Sequence, residues 1–269
     1  MTERCGRQGA GLSVLLLGGT GDARVIAERL ATLDGVAVVH ALAGATAHAS
    51  HLPGTTRVGG FGGVDGLVAY LDATACSLVI DATHPFADRI SRHAVIATER
   101  FGCPLIRLER APWQPTGDDR WVQVDQLSEL HPRLPEGARA FLALGKGALA
   151  HAEALAAARA DVHIVLRTAE PIADRATNAL PTNLAVIAAR PPHMHPHERA
   201  CFRQLGITDL VVKNAGGAAG RAKLDVAREL GLRVWAQRPP ELMSLGLNGV
   251  SVATHDEVIA RVTAHALAS

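Results

Sequence analysis

The chain of 269 residues is long enough for one large domain or two small α/β domains, and 27 Lys+Arg against 26 Asp+Glu leave a formal charge of +1. That balance supplies no long-range field for nucleic acid or a membrane surface, and no apolar run reaches the roughly 18 to 20 residues of a membrane span. The four cysteines, Cys5, Cys76, Cys103 and Cys201, lie far apart with no C-x-x-C pair, which argues against a zinc ribbon or redox dithiol and for buried thiols. The opening MTERCGRQGAGLS has no apolar stretch of the leader type, so a cytoplasmic address is expected.

Val14 to Leu30, VLLLGGTGDARVIAERL, reads as strand, glycine turn and helix. Glycines at that junction tolerate positive φ and let backbone N–H groups approach a phosphate at the helix N-terminus. The strict G-x-G-x-x-G spacing fails at its third position, where Arg24 stands, and a short βα turn that simply needs glycine would look the same. Val36 to Ala43 is a continuous apolar run of strand length ending at Gly44. The loop behind it, Ala45, Thr46, Ala47 and His48, offers neither an acid for a ribose 2′-OH nor an arginine for a 2′-phosphate, and Arg57 is the nearest guanidinium in sequence.

Thr56 to Val58 predicts a short third strand running into Gly59-Gly60-Phe61-Gly62-Gly63, a loop whose backbone can lie flat against a ligand or simply be mobile surface. A short helix with Leu67, Val68 and Leu71 follows, then a strand over Leu78 to Asp81. Next come Thr83, His84, Pro85 and Phe86 and a helix through Arg100. Pro85 suits a first helical turn, which puts a hydroxyl, an imidazole and an aromatic ring at the carboxyl edge of the sheet; a capping threonine with an incidental histidine is the equal alternative. Pro104 to Leu108 is a fifth strand, and Glu109 to Arg120, with two prolines and a glycine, is the best candidate boundary.

Beyond it the alternation resumes with strands at Trp121 to Val124, Arg139 to Leu144, Val162 to Leu166 and Leu184 to Ala188; the second ends at Lys146 and the third at Arg167. His193, His195 and His197 invite a metal, but the prolines around them break the helical geometry that would aim the rings at one ion, so none is expected. Leu210 to Val212 ends in Lys213-Asn214-Ala215-Gly216-Gly217-Ala218-Ala219-Gly220, and a helix runs from Arg221 to Leu230. This repeats the opening strand, glycine turn and helix. Arg221 and Lys223 at the helix start oppose the macrodipole, so they point to a bound anion, or else to a solvated basic face. Arg233 to Ala236 is taken as the final core strand and Asp256 to Ala266 as a closing helix. Two parallel α/β halves emerge, with the ligand expected in the crevice between them. Few aromatics disfavour base stacking on nucleic acid.

GGTGDA (18–23), GGFGG (59–63), DATHPFA (81–87), RLERAPW (107–113) and KNAGGAAGRAKLDVARELGL (213–232) together resemble the precorrin-6A reductase family of cobalamin biosynthesis. The resemblance implies an α/β fold of two Rossmann-like three-layer α/β/α domains with mostly parallel sheets and room for exchanged strands. Residues 1–115 would bind the dinucleotide and 116–269 the substrate. It also implies nicotinamide-dependent reduction of one ring double bond of precorrin-6A, metal-free or carrying cobalt, to give precorrin-6B. By position, Gly18, Gly19, Thr20, Gly21, Asp22 and Ala23 would hold the pyrophosphate. Gly44 and Thr46 would lie beside the ribose, and Gly60, Phe61, Gly62, Thr83, His84, Pro85 and Phe86 near the nicotinamide half. Relatives commonly carry an arginine where Ala45 stands, so a 2′-phosphate would have to rely on Thr46, His48 or Arg57; NADPH is the expected cofactor, with NADH left open.

Precorrin-6A carries many carboxylates, so Lys146, Arg167, Lys213, Asn214, Gly216, Gly217, Arg221 and Lys223, with Arg24 of the first helix, are expected to cradle it. Proton delivery falls to His84 or Lys213, with solvent or the macrocycle as alternatives. The macrocycle is the expected partner, with neighbouring pathway enzymes left open and no nucleic acid or membrane. A non-catalytic dinucleotide-sensing module is the competing class, and the cationic Lys213 loop favours the enzyme. A short-chain-type carbonyl reductase lacks its Tyr-x-x-x-Lys acid here, since Tyr70 is followed by Thr74.

Overall fold

The computed structural model describes residues 11–43, 52–172, 180–190, 193–218, 220–241 and 243–268. The leucine-rich run of β1 (Leu12–Leu17) lies between β2 (Val36–Leu42) and β4 (Leu78–Asp81), parallel to both. Outside β2 is β3 (Thr55–Val58); outside β4 is β5 (Leu105–Leu108), and the edge next to β5 is β12 (Gly249–Val252). The result is a six-stranded, all-parallel sheet in the order β3-β2-β1-β4-β5-β12.

Strand alternation divides β1 between two cores. Leu12, Val14 and Leu16 pack with Ile26 and Leu30 of α1 (Gly21–Leu30) and with Val258 and Val262 of α8 (His255–Ala268). Leu15 and Leu17 pack on the other face with Leu67 and Leu71 of α2 (Val64–Ala73) and with Ala94 and Val95 of α3 (Asp88–Phe101). Each of these leucines, removed from water, contributes about 1.5–3 kcal/mol.

The second sheet holds β6 (Arg120–Val124), β7 (Arg139–Ala143), β8 (His163–Thr168), β9 (Leu184–Ala188), β10 (Asp209–Lys213) and β11 (Arg233–Gln237), all parallel in the order β9-β8-β7-β10-β11-β6. Ala140, Leu142, Val211 and Trp235 face Leu130 of α4 (Leu130–Arg133) and Leu155 of α5 (Leu149–Ala158). Phe141, Leu210 and Val212 face Phe202 of α6 (His195–Gln204) and Leu224 of α7 (Arg221–Glu229), with the two phenylalanine rings edge-on at 4.9 Å.

The chain forms two units, Met1–Arg110 with Pro240–Ser269, and Ala111–Pro239. This corrects the single boundary expected near residue 115: the last thirty or so residues return to the first unit. The sixth strands are exchanged. β6 follows β5 in sequence yet pairs with β11, while β12 follows β11 yet pairs with β5. β12 is also the strand that sequence periodicity missed, since Gly249-Val250-Ser251-Val252 is short and only its last residue is buried. α8 begins on a capping box, with Glu257 N–H donating to Thr254 Oγ1 at 3.2 Å and Glu257 Oε2 accepting from Thr254 N–H at 3.2 Å. Among the described residues no helix is long and apolar enough to cross a membrane.

Candidate functional site

In the first unit the carboxyl ends of the strands surround a cavity of about 710 Å³, within the range of small-molecule sites. Its walls are residues 17–19 at the end of β1, 41–43 at the end of β2, 59–63 after β3, and Thr83 and His84 after β4, closed by one face of α3. Gly19 has φ of +99°, a conformation that side-chain-bearing residues rarely adopt. Among the described residues, a Cβ built on Gly19, Gly59, Gly60, Gly62 or Gly63 would meet no atom within 4 Å. These glycines therefore face open space, as a cradle for a flat or phosphorylated ligand requires. Gly18 serves packing instead, because its Cβ would lie 3.2 Å from the Cβ of buried Ala23. Close helix–strand packing is the task of the last glycine in the strict fingerprint; here Gly18 and Ala23 perform it, which leaves Arg24 exposed on α1 and outside the cavity lining.

The walls are tied together by polar side chains. Thr20 caps α1: its Oγ1 accepts from Ala23 N–H at 3.1 Å and donates to the Ala82 carbonyl at 2.8 Å. Gly21 opens the helix behind it. Asp22 is held by His255 Nε2 at 2.8 Å and by Arg110 at 3.0 Å. Thr83 donates both its N–H, at 3.1 Å, and its hydroxyl, at 2.6 Å, to Oδ1 of buried Asp81, whose other oxygen lies 3.5 Å from Arg107 Nε. His84 Nδ1 accepts from Phe86 N–H at 3.2 Å, which places the proton of a neutral imidazole on Nε2. Pro85 and Phe86 shape this turn without lining the cavity.

Arg57 is engaged with the glycine loop, donating to the carbonyls of Gly59 at 2.6 Å and Gly60 at 2.9 Å and lying 4.1 Å from the Phe61 ring centre. Gly44 and Thr46, with Ala45 and His48, lie outside the described residues. Arg89, Ile90 and His93 of α3 line the cavity and were not anticipated. The i, i+4 spacing of Arg89 and His93, directly behind DATHPFA, was the available signal.

In the second unit the predicted cations separate into different environments. Lys146 is exposed at the start of a short 3₁₀ turn. Arg167, at the end of β8, is buried and ion-paired with buried Glu198, so its charge is neutralised within the protein. Arg221 pairs with Asp225 at 3.0 Å along α7. Lys223 donates to the Gly220 carbonyl at 3.0 Å and stands 5.4 Å from the Trp113 ring centre; burial, with the nearby Arg167, holds its pKa down at about 8. Burial likewise pushes the half-buried Lys213 ammonium down.

Asn214, expected beside the substrate, is engaged within the protein. Its Oδ1 accepts from Trp113 N–H at 2.8 Å and its Nδ2 donates to the Trp113 carbonyl at 3.0 Å, so the amide clamps the Trp113 backbone. Gly216 has φ of +66°, and the Gly217 carbonyl accepts from Trp113 Nε1–H at 2.8 Å. His193 lies 3.9 Å from Glu198 and His195 3.3 Å from Glu229, so the two rings turn to different carboxylates. Burial, then the charge of Arg167, lowers the His193 pKa. Cys76 and Cys103 are buried thiols, the latter pushed up to about 12 by burial and by Cys76.

A doubly wound parallel sheet with a glycine turn after its first strand and a cavity at the carboxyl ends is the construction of a Rossmann-type dinucleotide-binding protein. A family profile described as Precorrin-6x reductase CbiJ/CobK matches residues 13–263. The chain belongs to this precorrin-6x reductase family. It is 44% identical to a precorrin-6A reductase of Rhodobacter capsulatus over 222 residues, 82% of this chain and 85% of that protein. The precorrin-6A reductase of Rhodococcus erythropolis is 38% identical over 230 residues, 85% of this chain and 90% of that one. A solved CobK precorrin-6A reductase structure superposes with a TM-score of 0.84 at 39% identity, covering 94% of this chain and 97% of the other.

Proposed function

We propose that this chain reduces one ring double bond of precorrin-6A, giving precorrin-6B, with a nicotinamide dinucleotide as donor. The observation that carries this reading is the glycine-walled cavity over the strand ends of the first sheet, in a chain of this family. The dinucleotide supplies the hydride when bound, and the protein supplies position. The N–H groups at the start of α1, aided by the helix dipole, hold the pyrophosphate on the turn 18–23. The 59–63 loop, with Thr83 and His84, borders the nicotinamide half and keeps water from it.

In the second unit, Lys213 and the glycines after it face the substrate carboxylates. Lys213 is the assigned proton donor: burial lowers its pKa, which brings it closer to the working pH of a general acid, and His84 is its alternative. Lys146, exposed at a strand end, adds a screened charge to the same task. NADPH is assigned as the donor on the family likeness. NADH competes with it because Arg57, the guanidinium nearest the second strand in sequence, is held on Gly59 and Gly60.

The test is incubation of the purified protein with precorrin-6A and either donor while the visible spectrum is followed. A change of the chromophore with at least one donor is expected, with the larger kcat/KM for NADPH. An unchanged spectrum with both overturns the proposal.

A further inference from the structure

The segment RLERAPW carries an arginine to which the proposed chemistry gives no task. Arg110, with a side chain only 14% exposed, reaches the first turn of α1, behind the glycine turn, and the Thr83 wall of the cavity at once. Its Nη1 lies 3.0 Å from Asp22 Oδ2 on the first turn of α1, and its Nη2 donates to the Thr83 carbonyl at 3.3 Å. From the other side His255 Nε2 approaches Asp22 Oδ1 at 2.8 Å. The Thr20 hydroxyl ties the same two segments a few residues away, through the Ala82 carbonyl at 2.8 Å.

A carboxylate in the first turn of a helix is favoured by the macrodipole when nothing else is bound there. When an anion is to dock on the same N–H groups, that carboxylate becomes a competitor and a source of repulsion. Asp22 occupies this position directly behind the glycine turn, and its two oxygens face one cationic and one titratable partner. A planar guanidinium can satisfy a carboxylate and a carbonyl in different directions simultaneously, which an ammonium on a flexible stem does less well.

We propose that Arg110 is a positioning residue for the dinucleotide: it neutralises Asp22 and fixes the glycine turn relative to the Thr83 loop, leaving the N–H cradle preorganised and open to the pyrophosphate. This rests on the dinucleotide reading of the cavity. The effect is electrostatic as well as mechanical, so removing Asp22 compensates for losing Arg110, whereas a purely mechanical tie would not be restored by deleting its second partner.

The experiment measures dissociation constants for NADPH and NADH by fluorescence titration, with a thermal melt of each protein. The proteins are the parent, Arg110→Met, Arg110→Lys, Asp22→Asn and Asp22→Asn/Arg110→Met. Arg110→Met is expected to weaken binding about tenfold, within the span of charge effects at helix termini. Arg110→Lys falls between it and the parent, and the double variant returns to within about threefold of the parent. Arg110→Met within twofold of the parent overturns the inference, as does a double variant no tighter than Arg110→Met. Should Arg110→Met melt too low to titrate, the uncharged Arg110→Gln takes its place, alone and combined with Asp22→Asn, and the same two comparisons decide. A parent that binds neither dinucleotide overturns the cofactor reading itself and this inference with it.

Discussion

Replacing Asn214 with leucine isolates the clamp on Trp113, because the two side chains are close in size and differ in their hydrogen bonds. The change deletes the acceptor of the 2.8 Å bond from Trp113 N–H and the donor of the 3.0 Å bond to the Trp113 carbonyl. Asn214 is 5% exposed and Trp113 9%, so water cannot replace either partner. Each orphaned backbone group costs about 1–3 kcal/mol, and burying the leucine methyls returns about 1 kcal/mol. For the two groups together the balance is a loss of about 1–5 kcal/mol, or a Tm lowered by roughly 3–15 °C at about 3 °C per kcal/mol. Scanning calorimetry measures it, and indole emission reports whether the Trp113 ring loses its bond to the Gly217 carbonyl. A Tm within 2 °C of the parent, with unchanged emission, would refute the assignment of Asn214 to structure and return it to the substrate.

Two further outcomes follow from close approach and burial. A Cβ on Gly66, in the first turn of α2, would lie 1.8 Å from the Phe61 carbonyl oxygen, so Gly66→Ala must displace the loop that walls the cavity. It should cost about 3 kcal/mol in thermal unfolding and weaken dinucleotide binding, whereas Gly117→Ala, with nothing within 4 Å of the added methyl, should leave Tm within about 1 °C. The folded pKa of Lys223, about 8 against 10.5 for the free side chain, means that folding opposes protonation there. The penalty is fully present below pH 8 and is relieved as pH rises from 8 to 10.5. Lys223→Met should therefore gain stability over the parent at pH 7, with the gain shrinking by pH 10 in paired denaturation curves; a gain independent of pH would contradict the burial argument.

The sheets were legible where a strand is buried on both faces. Leu78 to Ile80 and Leu210 to Val212 are apolar without interruption, and both lie inside the strands observed. One edge strand escaped this logic: β12 needs only one buried side chain, and its serine and glycine carry no period. The residue pattern did not show the return of the chain to the first unit, since that depends on which edge accepts β12; only the family resemblance left room for exchanged strands.

At the cavity the glycine turns were legible, because open space beside a glycine and positive φ are local demands. What was not legible was partner choice. Arg167 and Asn214 have the chemistry of substrate ligands, yet Glu198 and Trp113, thirty and a hundred residues away, occupy them. Arg57 was weighed as a phosphate ligand, yet its neighbouring glycine carbonyls and the Phe61 ring hold it. A sequence gives the valence of such groups, and the fold decides with whom it is satisfied.

The exchanged sixth strands also constrain how the chain is made. On the ribosome, synthesis runs from the first unit to the second, and domains generally fold as they emerge. Here β5 must wait with an unpaired edge, and Val258 and Val262 are missing from the core beside α1, until the whole of Ala111–Pro239 has been translated. An unpaired parallel edge is a template for wrong pairing, and β6, the next strand off the ribosome, is the nearest competitor for it. Productive folding thus requires β6 to prefer β11, more than a hundred residues downstream, over the edge it meets first. A nascent chain stalled before residue 249 would be the state most exposed to that error, and the second unit, whose strands are all complete by Gln237, would be the first to become resistant to protease.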